Sequence, residues 1–257
     1  MSDATLVTYA VDGHVARLTL DSPHNRNALS TRLVEQLHAG LRAAAADSAV
    51  RTVVLGHTGG TFCAGADLSE AADGDPFETT AARGREMAAV LRAIVSSPVP
   101  VVAAVDGHVR AGGLGLVGAC DIAVAGPRST FALTEARIGV APAVISLTLL
   151  PKLAPRAAAR YYLTGETFTA PTAAEIGLIT LAADDLDAAV AGIVADLGRG
   201  SPQGLAASKA LTTADVLARF DRDAEQLAIE SARLFVSEEA REGMLAFLQK
   251  RPPRWLR

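Results

Sequence analysis

The chain has 257 residues and a formal net charge of −4. With no basic excess, a nucleic-acid partner is not expected. No apolar run reaches the ~18 residues that suggest a membrane span, so no membrane partner is expected either. Half the residues are hydrophobic but only 4% are aromatic, and alanine carries much of the apolar fraction. That composition favours close-packed helices, because alanine has the best helix propensity and no side-chain entropy to lose. Cys63 and Cys120 make no disulfide framework. The segment Met1–Leu20 lacks the charged start and apolar stretch of a signal peptide, and a cytoplasmic location follows as the default.

Residues 5–11 and 14–20 alternate apolar and polar around Asp12-Gly13, which predicts a hairpin. Ser30 is a plausible N-cap, and Leu33, Leu37 and Leu41 recur at helical spacing. Val53 to Leu55 reads as a buried strand, and residues 56–74 as a glycine-rich loop. A helix is predicted over 78–95, ended by Pro98-Val99-Pro100. Val101 to Val105 reads as a second buried strand, followed by a glycine-rich turn, a short apolar helix to about Ala119, and a strand at Ile122 to Ala125. Strand and helix alternate, which points to an α/β fold with parallel strands. Beyond Leu181 the periodicity is helical, with segments over 185–198, 202–214, 221–236 and 238–249. Gly200-Ser201-Pro202 is the strongest boundary signal. It divides a β/α core over residues 1–199 from a helical C-terminal lobe over 200–257.

Gly113-Leu114-Gly115-Leu116-Val117-Gly118 matches the G-x-G-x-x-G of dinucleotide-binding folds. The match sits in the third β/α passage, with Asp106 to Arg110 intervening after the end of its strand at Val105. Glycines that let a helix pack closely are the better account.

Three segments carry the candidate chemistry. The first is Thr61-Phe62-Cys63-Ala64-Gly65-Ala66-Asp67-Leu68, the second Ala104-Val105-Asp106-Gly107 through Gly112-Gly113, and the third Phe131 to Val140, whose one carboxylate is Glu135. Small residues let backbone amides be approached closely. Gly112 falls at a helix N-terminus, where free N–H groups and the dipole favour negative charge. Two such amides converging on one oxygen would form an oxyanion hole, leaving Glu135 as the acid/base candidate.

Together these segments resemble the enoyl-CoA hydratase/isomerase (crotonase) superfamily. Asp21 to Leu29 is similar to its early coenzyme A signature, and Phe62 to Leu68 and Asp106 to Gly113 to its two oxyanion loops. Glu242-Gly243-Met244 through Phe247, Lys250, Arg251 and Pro253 resembles its terminal signature. The resemblance implies a crotonase-like spiral ββα core, a helical C-terminal trimerisation lobe, and homotrimers that can pair as hexamers. It implies that the amides of Ala64 and Gly112 hold the thioester oxygen. Arg26, Ala28, Ala66, Asp67 and Leu68 would line the coenzyme A channel, and Phe247 and Lys250 would approach a neighbouring subunit's ligand. Neither a metal nor a separate cofactor is implied, since coenzyme A belongs to the acyl-CoA substrate.

One departure stands out. Hydratases of the superfamily carry two glutamates, one matching Glu135 and one at the position of Gly115. Hydration needs a base for water and a proton for the α-carbon, which two carboxylates divide between them. Double-bond migration needs only one base that removes a proton and returns it elsewhere. The small Gly115 predicts a roomier pocket, while Val144 and Ile145 predict a greasier wall. His108, Arg110, Arg83 and Glu86 lie near enough to be considered as substitutes for the absent acid, but read as surface or structural residues. Hydration of an enoyl-CoA with Glu135 alone is the leading expectation, with Δ3-Δ2 isomerisation as its alternative. Thioester hydrolysis, carbon–carbon cleavage and non-catalytic coenzyme A binding stay open.

Overall fold

A computed structural model describes residues 4–67, 70 and 74–256. The chain opens with the predicted hairpin, β1 (Val7–Asp12) and β2 (Val15–Leu20), turned by Gly13 at φ 56°. Helix α1 (Thr31–Ala46) follows, and Ser30 accepts a hydrogen bond from Leu33 N–H as its N-cap. A repeating unit then begins. Strands β3 (Thr52–His57) and β4 (Thr61–Cys63) precede α2 (Pro76–Ser96). Strands β5 (Val101–Val105) and β6 (His108–Arg110) precede α3 (Gly112–Ala119). Strands β7 (Ile122–Ala125) and β8 (Thr130–Ala132) precede a 3-10 turn at Glu135–Ile138 and α4 (Ser146–Leu149).

The first strand of each pair enters a six-stranded sheet ordered β1-β2-β3-β5-β7-β10, the last being β10 (Leu181–Ala182). The second strand enters a four-stranded sheet ordered β4-β6-β8-β9, closed by β9 (Phe168–Thr169). Pairing between successive units is parallel in both sheets. The chain therefore winds as a spiral of ββα turns. Leu18, Leu55, Phe62, Leu91, Leu116 and Phe131 are fully buried or nearly so between its layers.

Helices α5 (Pro155–Thr164), α6 (Ala170–Glu175) and α7 (Leu186–Leu197) complete the core region. The two helical segments expected over 202–214 and 221–236 are one helix, α8 (Pro202–Phe235). No glycine or proline lies between them, and Phe220 is buried in the stretch that joins them. Helix α9 (Glu238–Leu248) turns back with Ser237 as its cap. No helix among the described residues is long and apolar enough to cross a membrane.

Lys209 ties α8 to the spiral. Its buried Nζ lies 2.7 Å from Asp121 Oδ2 and donates to Ile94 O at 2.8 Å and Val99 O at 3.2 Å. All three ammonium protons thus have acceptors. Removing one partner of such a pair leaves an uncompensated buried charge. Lys209→Ala should therefore lower the unfolding free energy by about 3–5 kcal/mol in urea titrations.

Candidate active site

The site begins with the loop after β2. Arg26 and Asn27 both adopt left-handed backbone, at φ 60° and 54°. The buried Asn27 side chain donates to Thr61 O at 2.8 Å and Thr58 O at 3.1 Å, and accepts from Ser22 N–H at 2.7 Å. This one amide stitches the loop to β4. Asn25 adds a bond to Asp67 Oδ2 at 3.1 Å.

The chain leaving β4 pairs with Leu29. Leu29 N–H donates to Gly65 O at 2.7 Å, and Asp67 N–H donates to Leu29 O at 3.2 Å. Extended backbone alternates the side to which its amides point. Ala66 therefore turns its N–H away from Leu29, and that N–H has no partner among the described residues. Ala64 behaves differently from the expectation. Its N–H donates to Arg26 O at 3.1 Å, and Ala64 does not line the cavity described below. The available amide of this loop is that of Ala66, two residues on.

Opposite this loop, Ala111 sits at φ 46° and ψ −120°, and α3 starts immediately after it at Gly112. A non-glycine residue held there costs on the order of 1–3 kcal/mol. In the first turn of α3, Leu114 N–H donates to Ala111 O at 2.9 Å, whereas the N–H groups of Gly112 and Gly113 have no intrahelical acceptor. Gly65, at φ 93°, lies against this turn. A Cβ on Gly65 would stand 2.7 Å from Ala111 Cβ and 3.6 Å from Gly112 N. Only a glycine lets the two segments approach so closely.

Glu135 opens the 3-10 turn after β8 and is 8% exposed. Its Oε2 is buried with no hydrogen-bond partner. Burial pushes its pKa from 4.5 to about 7, opposed only by a backbone hydrogen bond. Nearby, Ser146 Oγ donates to Pro142 O at 2.7 Å, so the Tyr162 hydroxyl 3.1 Å away is the donor to Ser146. Burial pushes that phenol up to about 12.

A carboxyl whose pKa is raised in the folded state weighs on stability from the unfolded pKa upward. Below pH 4.5 both states hold the proton. Between 4.5 and about 7 only the unfolded state ionises, so stability falls as pH rises, and the whole cost is present above 7. The shift is worth roughly 3 kcal/mol. Glu135→Gln should thus melt several degrees above wild type at pH 8, with the gap closing towards pH 4.5 in calorimetry.

Ala66, Gly112 and Glu135 all border one cavity of 650 Å³. Met87 of α2 and Val144 and Ile145 after the 3-10 turn supply apolar wall, as expected of the last two. Gly115, in contrast, leaves no extra room. A Cβ there would meet Ile145 Cγ2 at 2.5 Å and Met87 Cε at 3.3 Å. The predicted widening is cancelled by Ile145, which fills the space.

An enoyl-CoA hydratase/isomerase family model matches residues 11–257. The chain belongs to the enoyl-CoA hydratase/isomerase family. A crystal structure of an enoyl-CoA hydratase from Mycobacterium avium is 73% identical, with a TM-score of 0.93 over 98% of this chain and 99% of that one. A protein of Bacillus subtilis named "Probable enoyl-CoA hydratase" is 32% identical over 97% of this chain and 98% of its own length. The 2,3-dehydroadipyl-CoA hydratase of Escherichia coli is 34% identical over 93% and 94%. The ββα spiral with its helical C-terminal region is the fold of these hydratases.

The remaining candidate positions of this family enzyme divide. Asp67 borders the cavity, Arg26 is exposed and does not border it, and Ala28 is buried behind its neighbour Leu29, which does border it. Leu68 lies outside the described residues. Phe247 is 64% exposed and Lys250, at φ 53°, follows α9; neither borders this chain's own cavity. Arg83 and Glu86, read from sequence as surface or structural, do border it. Arg83 pairs with Glu70 at 3.4 Å, and Glu70 also accepts from Thr31 N–H at 3.0 Å. His108 and Arg110 point elsewhere, to Thr130. The G-x-G-x-x-G glycines pack α3 against Cys63 and Thr148. Asn27 was not singled out in the sequence. An asparagine inside the early signature, where left-handed backbone is common for that residue, was the signal available.

Proposed function

We propose that this family member acts on an enoyl-CoA thioester through an enolate. The amides of Ala66 and Gly112 would hold the thioester oxygen, and Glu135 alone would move the proton. One observation carries the proposal. A buried carboxylate with a pKa of about 7 and an Oε2 without a hydrogen-bond partner opens on the same cavity as an unengaged amide and a helix N-terminus.

Charge that develops on the thioester oxygen would be met by donors already in place, which is where such donors act most strongly. Near neutral pH Glu135 exists in both protonation states, so it can give or take a proton with little penalty. Coenzyme A enters as part of the substrate. Hydration of a 2-enoyl-CoA is the reading that the names of the relatives support. A second reading, migration of a 3-enoyl double bond, is favoured by the alkyl fill beside Gly115. A trimeric or hexameric assembly belongs to the proposal. It is supported by apolar side chains on the surface, Leu211 at 82%, Leu248 at 68% and Phe247 at 64% exposed. Phe247 and Lys250 would then face a neighbour's coenzyme A.

Incubating the purified protein with crotonyl-CoA and with 3-hexenoyl-CoA tests the proposal. Turnover of at least one, lost in Glu135→Gln, is the expected result. Turnover of neither would refute it.

A further inference from the structure

The cavity extends well beyond the oxyanion end. Helix α2 borders it from Met87, whose Cε stands 3.5 Å from a Cβ built on Gly112, to Thr80 and Pro76. Met87 and Thr80 are separated by roughly 10 Å of helix. Helix α8 lies antiparallel against α2. A Cβ on Gly84 would stand 3.1 Å from Ala228 Cβ, Arg85 pairs with Glu225 at 2.7 Å, and Arg92 pairs with Asp221 at 2.7 Å. Ser231 and Phe235, one and two turns past Ala228, therefore fall beside the N-terminal half of α2, away from Gly112. Helix α9 closes the same end. Arg241, Met244, Leu245 and Leu248 recur at spacings of three and four, so one face of α9 borders the cavity. The opposite face is fixed on the 3-10 turn, where a Cβ on Gly243 would lie 2.6 Å from Ile138 Cα.

This far end is mostly apolar, but three groups there are not. Arg241 makes no side-chain hydrogen bond or ion pair among the described residues, and neither does the Ser231 hydroxyl. Ser237 Oγ accepts from Ala240 N–H at 3.1 Å, which leaves its own O–H to donate. The cavity's other cation, Arg83, is taken by Glu70 at 3.4 Å. The carboxylates that border the cavity belong to other walls. Glu135 is on the 3-10 turn, Glu86 is next to Met87, and Asp67 and Glu70 follow β4. An anionic chain end is repelled near Glu135 and Glu86, and meets an unpaired cation at Arg241.

Resting on the enolate reading above, we propose that Arg241, with Ser231 and Ser237, forms a subsite for a carboxylate at the far end of the acyl chain, so that the substrates include thioesters of dicarboxylic acids. A guanidinium takes a carboxylate through two parallel N–H···O bonds, and each hydroxyl can add one more. The apolar wall along α2 and α9, with Gly84, Met87 and Met244, suits the methylene groups of the chain. A carboxylate stranded against that wall would be buried without a partner, at a heavy cost. Chain length therefore decides the fit. An extended chain advances about 1.3 Å per carbon, so roughly eight carbons span the ~10 Å between the two ends.

Calorimetric titration with saturated acyl-CoAs tests the subsite without any turnover. Chains of about six, eight and ten carbons are compared in pairs, one member ending in a methyl group and the other in a carboxylate. At the fitting length, wild type should bind the carboxylate-ended member at least about tenfold more tightly. Arg241→Gln should lower that preference by about 10–10². Arg241→Lys should keep part of it, because the charge remains while the two-pronged geometry is lost. A wild type that binds the two members of every pair alike, or prefers the methyl end at every length, would overturn the subsite. So would Arg241→Gln with the wild-type preference. Failure of the enolate reading shows separately, as a wild type that does not exchange the α-hydrogen of butyryl-CoA with D2O, whatever the titrations give.

Discussion

Glu135→Gln should lower kcat by about 10²–10⁴ on any enoyl-CoA the enzyme accepts, with a much smaller effect on KM. Glutamine keeps the volume and the burial but cannot carry a proton. The neighbouring groups offer no replacement. Tyr162 has its hydroxyl engaged with Ser146 and a pKa pushed up to about 12, and Cys63 is a buried thiol likewise pushed up to about 12. The pH profile supplies the second half of the expectation. Proton removal needs the ionised carboxylate, so kcat/KM should climb with pH through about 7 and then level off. An ordinary surface glutamate would already be fully ionised there. The stability gain of the same variant at pH 8 separates lost chemistry from lost folding.

Ala66→Pro should lower kcat by about 10²–10³, the cost of removing one oxyanion donor. Proline deletes a single N–H. At position 66 that N–H takes no part in the pairing with Leu29, which uses Gly65 O and Asp67 N–H instead. The preceding residue is glycine, the one least restricted before proline. Melting temperature should change little. Ala64→Pro gives the contrasting result, because it breaks the 3.1 Å bond to Arg26 O. That variant should lose stability through the Arg26–Asn27 loop. If Ala64→Pro lost kcat with an unchanged melting temperature, and Ala66→Pro were active, the donors would have been assigned to the wrong residue.

The exchange of Ala64 for Ala66 shows where sequence reading stops. The small residues of the loop after β4 mark an amide-rich approach. Which amide faces the substrate depends on the pairing with Leu29, over thirty residues earlier in the chain. Gly115 repeats the lesson. Its missing side chain was legible, but the filling of that space comes from Ile145, thirty residues later. The hairpin at Gly13 and the helix capped by Ser30 were legible, because turns and caps are local. Strands β4, β6 and β8 were not. Each has three residues, too few to show a period, and each forms only because the spiral brings its neighbours alongside. Glu135 was visible as the one carboxylate of its segment, whereas its burial and raised pKa follow from α9 and the Tyr162 region closing around it.

The central claim is that Glu135 alone moves a proton to and from an enolate held at Ala66 and Gly112. Exchange of the α-hydrogens of butyryl-CoA in D2O, followed by NMR, reads that step without any double bond, water addition or product release. Wild type should incorporate deuterium at the α-carbon at a rate that rises through pH 7, and Glu135→Gln should incorporate none above the uncatalysed background. Equal exchange by both proteins would contradict the claim.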